Sequence, residues 1–193
     1  LSGKENRMKV LMISGSRNSD GQTARAAKAL LEGLTDEGGK SESIFLPKIK
    51  IERCRQCDDD GWGICRSKGR CTIDDDFASV VDKVRKTDAV VFATPVYFSD
   101  LSESLRAFLD RLRRVTRHKD GQRGISAKPA IGICVAGGGG GGAPACMVNL
   151  EKVLSTCGFD VIDITPVRRQ NLDMKLIVLK ATGRWLATYK SSE

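Results

Sequence analysis

Five short apolar runs, separated by stretches of helical periodicity, restrict what this chain can fold into more than any other feature. They occupy residues 8–13, 43–46, 89–94, 130–135 and 161–164. Between them, Ala24, Ala27, Leu30, Leu31 and Leu34 recur at helical spacing, as do Phe77, Val80, Val81 and Val84. A third stripe is Leu105, Phe108, Leu109 and Leu112, and a fourth is Met147, Leu150, Val153, Leu154 and Cys157, with Gly158 placed to stop it. Leu172, Leu176 and Leu179 begin a terminal helix, which Gly183 should weaken by about 1 kcal/mol. Apolar strands alternating with helices imply an α/β fold whose parallel sheet is covered on both faces. Right-handed crossovers favour a doubly wound five-stranded sheet in the order 2-1-3-4-5. The 193 residues suit one domain over 1–193, with 1–7 expected to be disordered or tag-derived and 48–76 an insertion after strand 2.

Ligands of such sheets bind beyond the carboxyl ends of the strands, where the order switches between strands 1 and 3. The loops at 14–23, 95–100 and 137–144 should therefore converge. The first joins a strand to a helix N-terminus, where backbone N–H groups and the helix dipole favour a phosphate. It carries neither a Walker loop nor the G-x-G-x-x-G fingerprint. Instead the hydroxyls of Ser16, Ser19 and Thr23, the Gln22 amide and the Arg17 guanidinium can surround a terminal monophosphate. That pattern points to a mononucleotide, with flavin mononucleotide (FMN) the first candidate; a plain polar turn with a capped helix is the alternative. In the second loop Pro95, Val96, Tyr97 and Phe98 offer an apolar, partly aromatic wall to a flat ring, or else cap the core. The third holds six glycines, Gly137 to Gly142. Without side chains Gly137, Gly138 and Gly139 can bring backbone N–H donors close to a ligand edge, and such a loop is expected to order with flavin or a partner subunit.

The set Gly15-Ser16-Arg17, Gly21-Gln22-Thr23, Pro95-Val96-Tyr97-Phe98 and Leu105-Arg106-Ala107-Phe108-Leu109-Asp110-Arg111 resembles the NADPH-dependent FMN reductase family of flavodoxin-like proteins. The likeness runs from about residue 8 to the fifth strand, and a cysteine insertion makes it similar to the iron–sulfur flavoprotein branch. Gln22 stands where that family commonly has Asn, and the glycine run is longer than usual. The resemblance implies that Ser16, Arg17, Gln22 and Thr23 hold the FMN phosphate. It places Pro95 to Phe98 along the isoalloxazine and the glycine loop at its pyrimidine edge. It implies an oxidoreductase passing electrons from NAD(P)H to a flavin, quinone or similar small acceptor, in a homodimer or homotetramer. The alternative is a non-enzymatic electron carrier or redox-sensing iron–sulfur flavoprotein that exchanges electrons with a protein partner. A third reading is an interaction protein that keeps the fold and binds no flavin. Hydride transfer to a flavin needs no protein acid or base, so no catalytic dyad is assigned.

Four of seven cysteines lie close together, Cys54, Cys57, Cys65 and Cys71. In a reducing compartment such a group suggests metal, cluster or redox chemistry more than structural disulfides. The thiolates can hold a [4Fe–4S] cluster or zinc, form a reversible disulfide, or stand as plain thiols. Asp58, Asp59 and Asp60 between them count against an already anionic site, and Asp74, Asp75 and Asp76 read as charges at the start of the second helix. Cys134, Cys146 and Cys157 fall on apolar faces and read as inert core residues.

His118 is the sole histidine, in a basic segment, and reads as a surface residue; no nucleophile elbow accompanies it. The formal charge of +8 is spread along the chain and suits anionic cofactors, while the lack of an aromatic-interleaved basic stripe argues against nucleic acid. No apolar run approaches the roughly 18 residues of a membrane span, and residues 1–7 are too polar for a signal peptide. A cytoplasmic location is the expectation.

Overall fold

A computed structural model of the chain describes residues 7–190. The expectation for residues 1–7 lies outside the described residues except at Arg7, which is exposed and irregular. The elements run β1 (Lys9–Ser14), α1 (Gln22–Asp36), β2 (Lys40–Phe45), α2 (Ile64–Lys68), α3 (Phe77–Lys86), β3 (Ala89–Pro95), α4 (Glu103–Val115), α5 (Lys119–Gln122), β4 (Pro129–Ala136), α6 (Ala143–Cys157), β5 (Asp160–Arg168) and α7 (Leu172–Thr188). The sheet is parallel throughout in the order β2-β1-β3-β4-β5. It is the flavodoxin-like doubly wound arrangement expected from the sequence, with the Cys-rich insertion following β2.

Strand parity sorts the core into two layers. Leu11 and Ile13 of β1, with Val90 and Phe92 of β3, face α3, α4 and α6 through Val84, Phe108, Leu112, Leu150 and Leu154. Val10 and Met12, with Val91 and Ala93, face α1 and α7 through Ala26, Ala27, Leu30, Leu179 and Leu186. Each fully buried Leu or Phe contributes about 1.5–3 kcal/mol relative to exposure. The edge strands depart from this pattern. β2 begins three residues before the apolar run, and its Lys40 to Ser43 are exposed, which blunts the sheet edge with charge. β5 extends to Arg168 and tolerates Pro166 because it too lies at an edge.

Gly183 does more than lower helix propensity. A Cβ at Gly183 would stand 1.9 Å from the Leu30 carbonyl oxygen, and one at Gly33 would stand 1.9 Å from that of Lys180. The two glycines let α1 and α7 cross at backbone contact. Gly158 caps α6 in the left-handed conformation with φ +95°, as its placement predicts.

Candidate functional site

At the carboxyl end of β1 the chain organises its own turn. Ser16 N donates to the buried Ser14 Oγ at 3.1 Å, Asn18 N to Ser16 Oγ at 3.2 Å, and Asp20 N to Asn18 Oδ1 at 2.9 Å. Gly15 N donates to Ala93 O at 2.8 Å, and a Cβ on Gly15 would fall 2.1 Å from Ser102 Oγ, so this turn sits hard against the start of α4. α1 then begins at Gly21 with no side chain capping it and no acidic residue in its first turn. An uncapped helix start presents N–H donors and a positive dipole end. Gln22 Oε1 beside it is buried and has no hydrogen-bond partner. A buried amide without a partner costs about 1–3 kcal/mol unless a ligand satisfies it.

The second loop is a tight turn. Tyr97 and Asp100 exchange backbone hydrogen bonds at 3.0 and 2.9 Å, which forces Phe98 and Ser99 to φ values of +48° and +65°. Left-handed backbone at a non-glycine residue costs roughly 1–2 kcal/mol. The Asp100 carboxylate holds the turn, accepting from Leu101 N at 2.7 Å, from Arg106, and from Asn149 Nδ2 at 3.4 Å. As a result Tyr97 stays 58% exposed and Phe98 projects fully into solvent. Aromatic rings held outward beside a cleft are available to stack on a ligand or a second chain.

The glycine loop closes the cleft from the other side. Gly140 N donates to Gly137 O at 2.8 Å, and Gln170 Nε2 reaches across to Gly139 O at 2.9 Å. A Cβ at Gly137, Gly138, Gly139 or Gly141 would meet nothing within 4 Å, so the backbone there fronts open space. Gln22, Thr23, Pro95, Val96, Tyr97, Gly137 and Gly138, with Val135, Ala136 and Gly141, line one cleft of about 480 Å³. That volume is in the range of small-molecule sites. Arg17 and Ser16 lie outside this lining, Arg17 exposed on the turn and Ser16 buried beneath it, and Phe98 and Gly139 lie outside it on their own loops, while Ser19 borders a separate groove with Met12, Asp20 and Phe45. The uncapped helix start offers N–H donors to an anion, Gln22 Oε1 an acceptor to a hydroxyl, and the bare glycine backbone and exposed ring a border to a flat group, a donor set that fits FMN.

Cys54, Cys57, Cys65 and Cys71 line a second, narrow cavity of about 20 Å³ with Arg111 and Arg114. None of the seven cysteines is in a disulfide. Cys65 Sγ lies 3.8 Å from Gly63 O, Cys57 Sγ 3.8 Å from Thr72 Oγ1, and Arg111 Nη2 donates to Cys71 Sγ at 3.4 Å. Among the described residues no three His, Cys, Asp or Glu side chains stand close enough to share a metal ion. The donor chemistry, four thiols in one wall with cations behind them, fits a thiolate-bound group, and the thiols must close in to ligate it. The aspartates do not oppose this. Asp58, Asp59 and Asp60 are exposed, and Asp60 lies 3.6 Å from Arg66. Arg114 donates to Gly61 O at 2.8 Å and lies 4.5 Å from the Trp62 ring centre.

Asp75 does more than charge the start of α3. Its Oδ1 accepts from Phe77 N at 3.1 Å, and its carboxylate is also paired with Arg111, both side chains being buried. Burial alone would raise the Asp75 carboxyl. Hydrogen bonds from Arg111, Glu52 N and Phe77 N outweigh it and hold the group below the ordinary carboxylate value. This hub was not legible in the sequence, where the signal was only an Arg at the end of an apolar helical stripe. His118 is half-buried and caps α5, with Nδ1 accepting from Asp120 N at 3.2 Å, and lines neither cavity. Cys134, Cys146 and Cys157 are fully buried, and burial pushes the Cys157 thiol up, away from reactivity.

The family model described as NADPH-dependent FMN reductase matches residues 8–168. An iron-sulfur flavoprotein of Methanocaldococcus jannaschii is 29% identical over 131 residues, 68% of this chain and 65% of that protein. An iron-sulfur flavoprotein of Methanosarcina thermophila is 28% identical over 132 residues, 68% of this chain and 64% of its own length. The chain thus spans just under two thirds of the length of these two curated relatives. Among solved structures, an NAD(P)H:quinone oxidoreductase from Methanothermobacter marburgensis superposes with a TM-score of 0.67 at 17% identity, covering 95% of this chain and 99% of that one, a likeness of fold.

Proposed function

The chain belongs to the NADPH-dependent FMN reductase family, and on that premise we propose that it binds FMN and passes electrons from NAD(P)H to a flavin, quinone or similar small acceptor. The observation that carries this reading is the uncapped start of α1 beside a cleft bounded by Tyr97 and bare glycine backbone, with the unpartnered Gln22 Oε1 there to accept from a ligand hydroxyl. Gln22, Thr23 and the first N–H groups of α1 hold the phosphate, with Ser16, Arg17 and Ser19 on the turn supplying further donors and positive charge. Pro95, Val96, Tyr97 and Phe98 border the ring, and Gly137 to Gly139 turn N–H donors to the edge where negative charge develops. FMN supplies the hydride-accepting chemistry, which no side chain here offers. The protein's task is to hold two flat rings in contact and exclude water between them. We place the protein in the cytoplasm as a homodimer or homotetramer; among the described residues no helix is long and apolar enough to cross a membrane.

The thiol cavity supports a second component of the same reading. Cys54, Cys57, Cys65 and Cys71 would hold a [4Fe–4S] cluster or zinc, and with a cluster the protein can exchange single electrons with a redox partner. The deciding experiment is a visible spectrum of anaerobically purified protein with flavin, iron and zinc quantified, followed by NADH and NADPH oxidation with a quinone. One FMN per chain and turnover above the flavin-only background are expected. Protein that takes up no FMN from solution overturns the proposal. Bound FMN without turnover, together with reduction by ferredoxin, favours the electron carrier.

A further inference from the structure

Arg111 is the largest fully enclosed side chain among the described residues, 1% exposed. Charge in such a place needs a reason, since a buried ion pair is commonly no more stabilising than apolar residues of the same volume. Asp75 alone does not supply it. The Asp75 carboxylate accepts Arg111 Nη1 at 2.6 Å and Nη2 at 2.9 Å, but it also accepts Glu52 N at 2.8 Å and Phe77 N at 3.1 Å. Its negative charge is shared among the guanidinium, two backbone amides and the start of α3. The guanidinium has donors to spare. Nη1 also reaches Glu52 O at 3.0 Å, and Nη2 reaches Cys71 Sγ at 3.4 Å on the wall of the thiol cavity. Phe77 covers its other face, 4.2 Å from Cζ to the ring centre.

Resting on the reading of the insertion as a thiolate site, we propose that Arg111 is the buried counter-cation of that site, and that the Asp75 fork positions it to hold Cys71. Four thiolates around a divalent ion carry a net negative charge that is expensive to keep away from water. A guanidinium in contact with one sulfur offsets that charge where the effective dielectric is low. Arg114 is less suited, since its guanidinium already serves Gly61 O and the Trp62 face. Arg111 thereby ties the insertion to α4, the helix whose opposite end touches Gly15 through Ser104 Oγ at 3.2 Å. It is a positioning residue.

The test uses the full chain, loaded with FMN, stripped of metal under reducing conditions and titrated with Co²⁺. Thiolate-to-cobalt charge-transfer absorption reports ligation by sulfur. Wild type should bind one Co²⁺ in a thiolate environment. Arg111→Gln should lose at least tenfold in Co²⁺ affinity, and Arg111→Lys, which keeps the charge and loses the fork, should fall between the two. Adding Arg111→Gln to Cys71→Ser should cost little beyond Cys71→Ser alone, because one effect passes through the other. FMN content, read at the far end of the fold, checks that each variant is folded. Wild-type Co²⁺ affinity in folded Arg111→Gln overturns the proposal and leaves the thiolate site standing. If Arg111→Gln does not fold, wild-type affinity in folded Arg111→Met, which removes the charge and keeps an apolar side chain of similar length, overturns it equally. Absence of thiolate absorption in the wild type overturns both this proposal and the metal reading on which it rests.

Discussion

Two side chains concentrate the chemistry, and both are polar groups buried where the fold alone gives them little reason to be. Gln22 keeps an amide oxygen without a partner. Replacing Gln22 by Ala should raise the Kd for FMN about tenfold, the loss of one hydrogen bond from a ligand hydroxyl to Oε1. Quenching of flavin fluorescence on titration reads this directly, and an unchanged Kd would remove Gln22 from the site. Asp75 is the other. Its folded-state pKa is depressed, so its contribution to stability is fully present above the unfolded carboxyl value of about 3.9 and is lost as pH falls through the folded value. Asp75→Asn should therefore lower stability by about 3–5 kcal/mol at pH 7, the cost of leaving Arg111 uncompensated. The deficit should begin to shrink below about pH 4, where the carboxyl of the unfolded chain protonates while the folded one still holds its charge, and should vanish once pH falls below the folded value. Urea unfolding of both proteins at the two pH values checks the sign; a deficit independent of pH would mean that the carboxylate charge is not what matters.

The helices show how far periodicity carries an argument. Four stripes at 3.6-residue spacing were readable because each repeats within one element, and α1, α3, α4 and α6 bury those residues except Leu31 and Met147, which are half-buried. Periodicity does not report which helices touch. Gly183 reads as a weak point in α7 by propensity, yet it faces Gly33 across a crossing where backbones meet. Gly33→Ala should destabilise by about 1–3 kcal/mol through overpacking, despite alanine's better helix propensity. A raised melting temperature in that variant would contradict the crossing. The insertion was legible as four cysteines and its α2 was not, because a five-residue helix has too few turns to display a period.

At the scale of the whole molecule two sites stand apart. The flavin cleft and the thiol cavity share none of their lining residues. Cys57→Ser should thus abolish bound iron or zinc while FMN binding stays at the wild-type level, measured by metal analysis and flavin absorbance on one preparation. Loss of FMN in that variant would show the two sites to be coupled.

Sheet order, two-faced burial and the meeting of three loops at one edge were determined by the sequence alone. Strand parity, helical period and crossover handedness are local rules that each segment obeys by itself. The contacts of Asp75, Arg111 and Cys71 were decided only by the tertiary structure, as was the bare helix start beside an unpaired Gln22. Arg111 lies 36 and 40 positions from its two partners. Pairing at that separation leaves no periodic trace, because it depends on how packed layers bring distant segments to one wall.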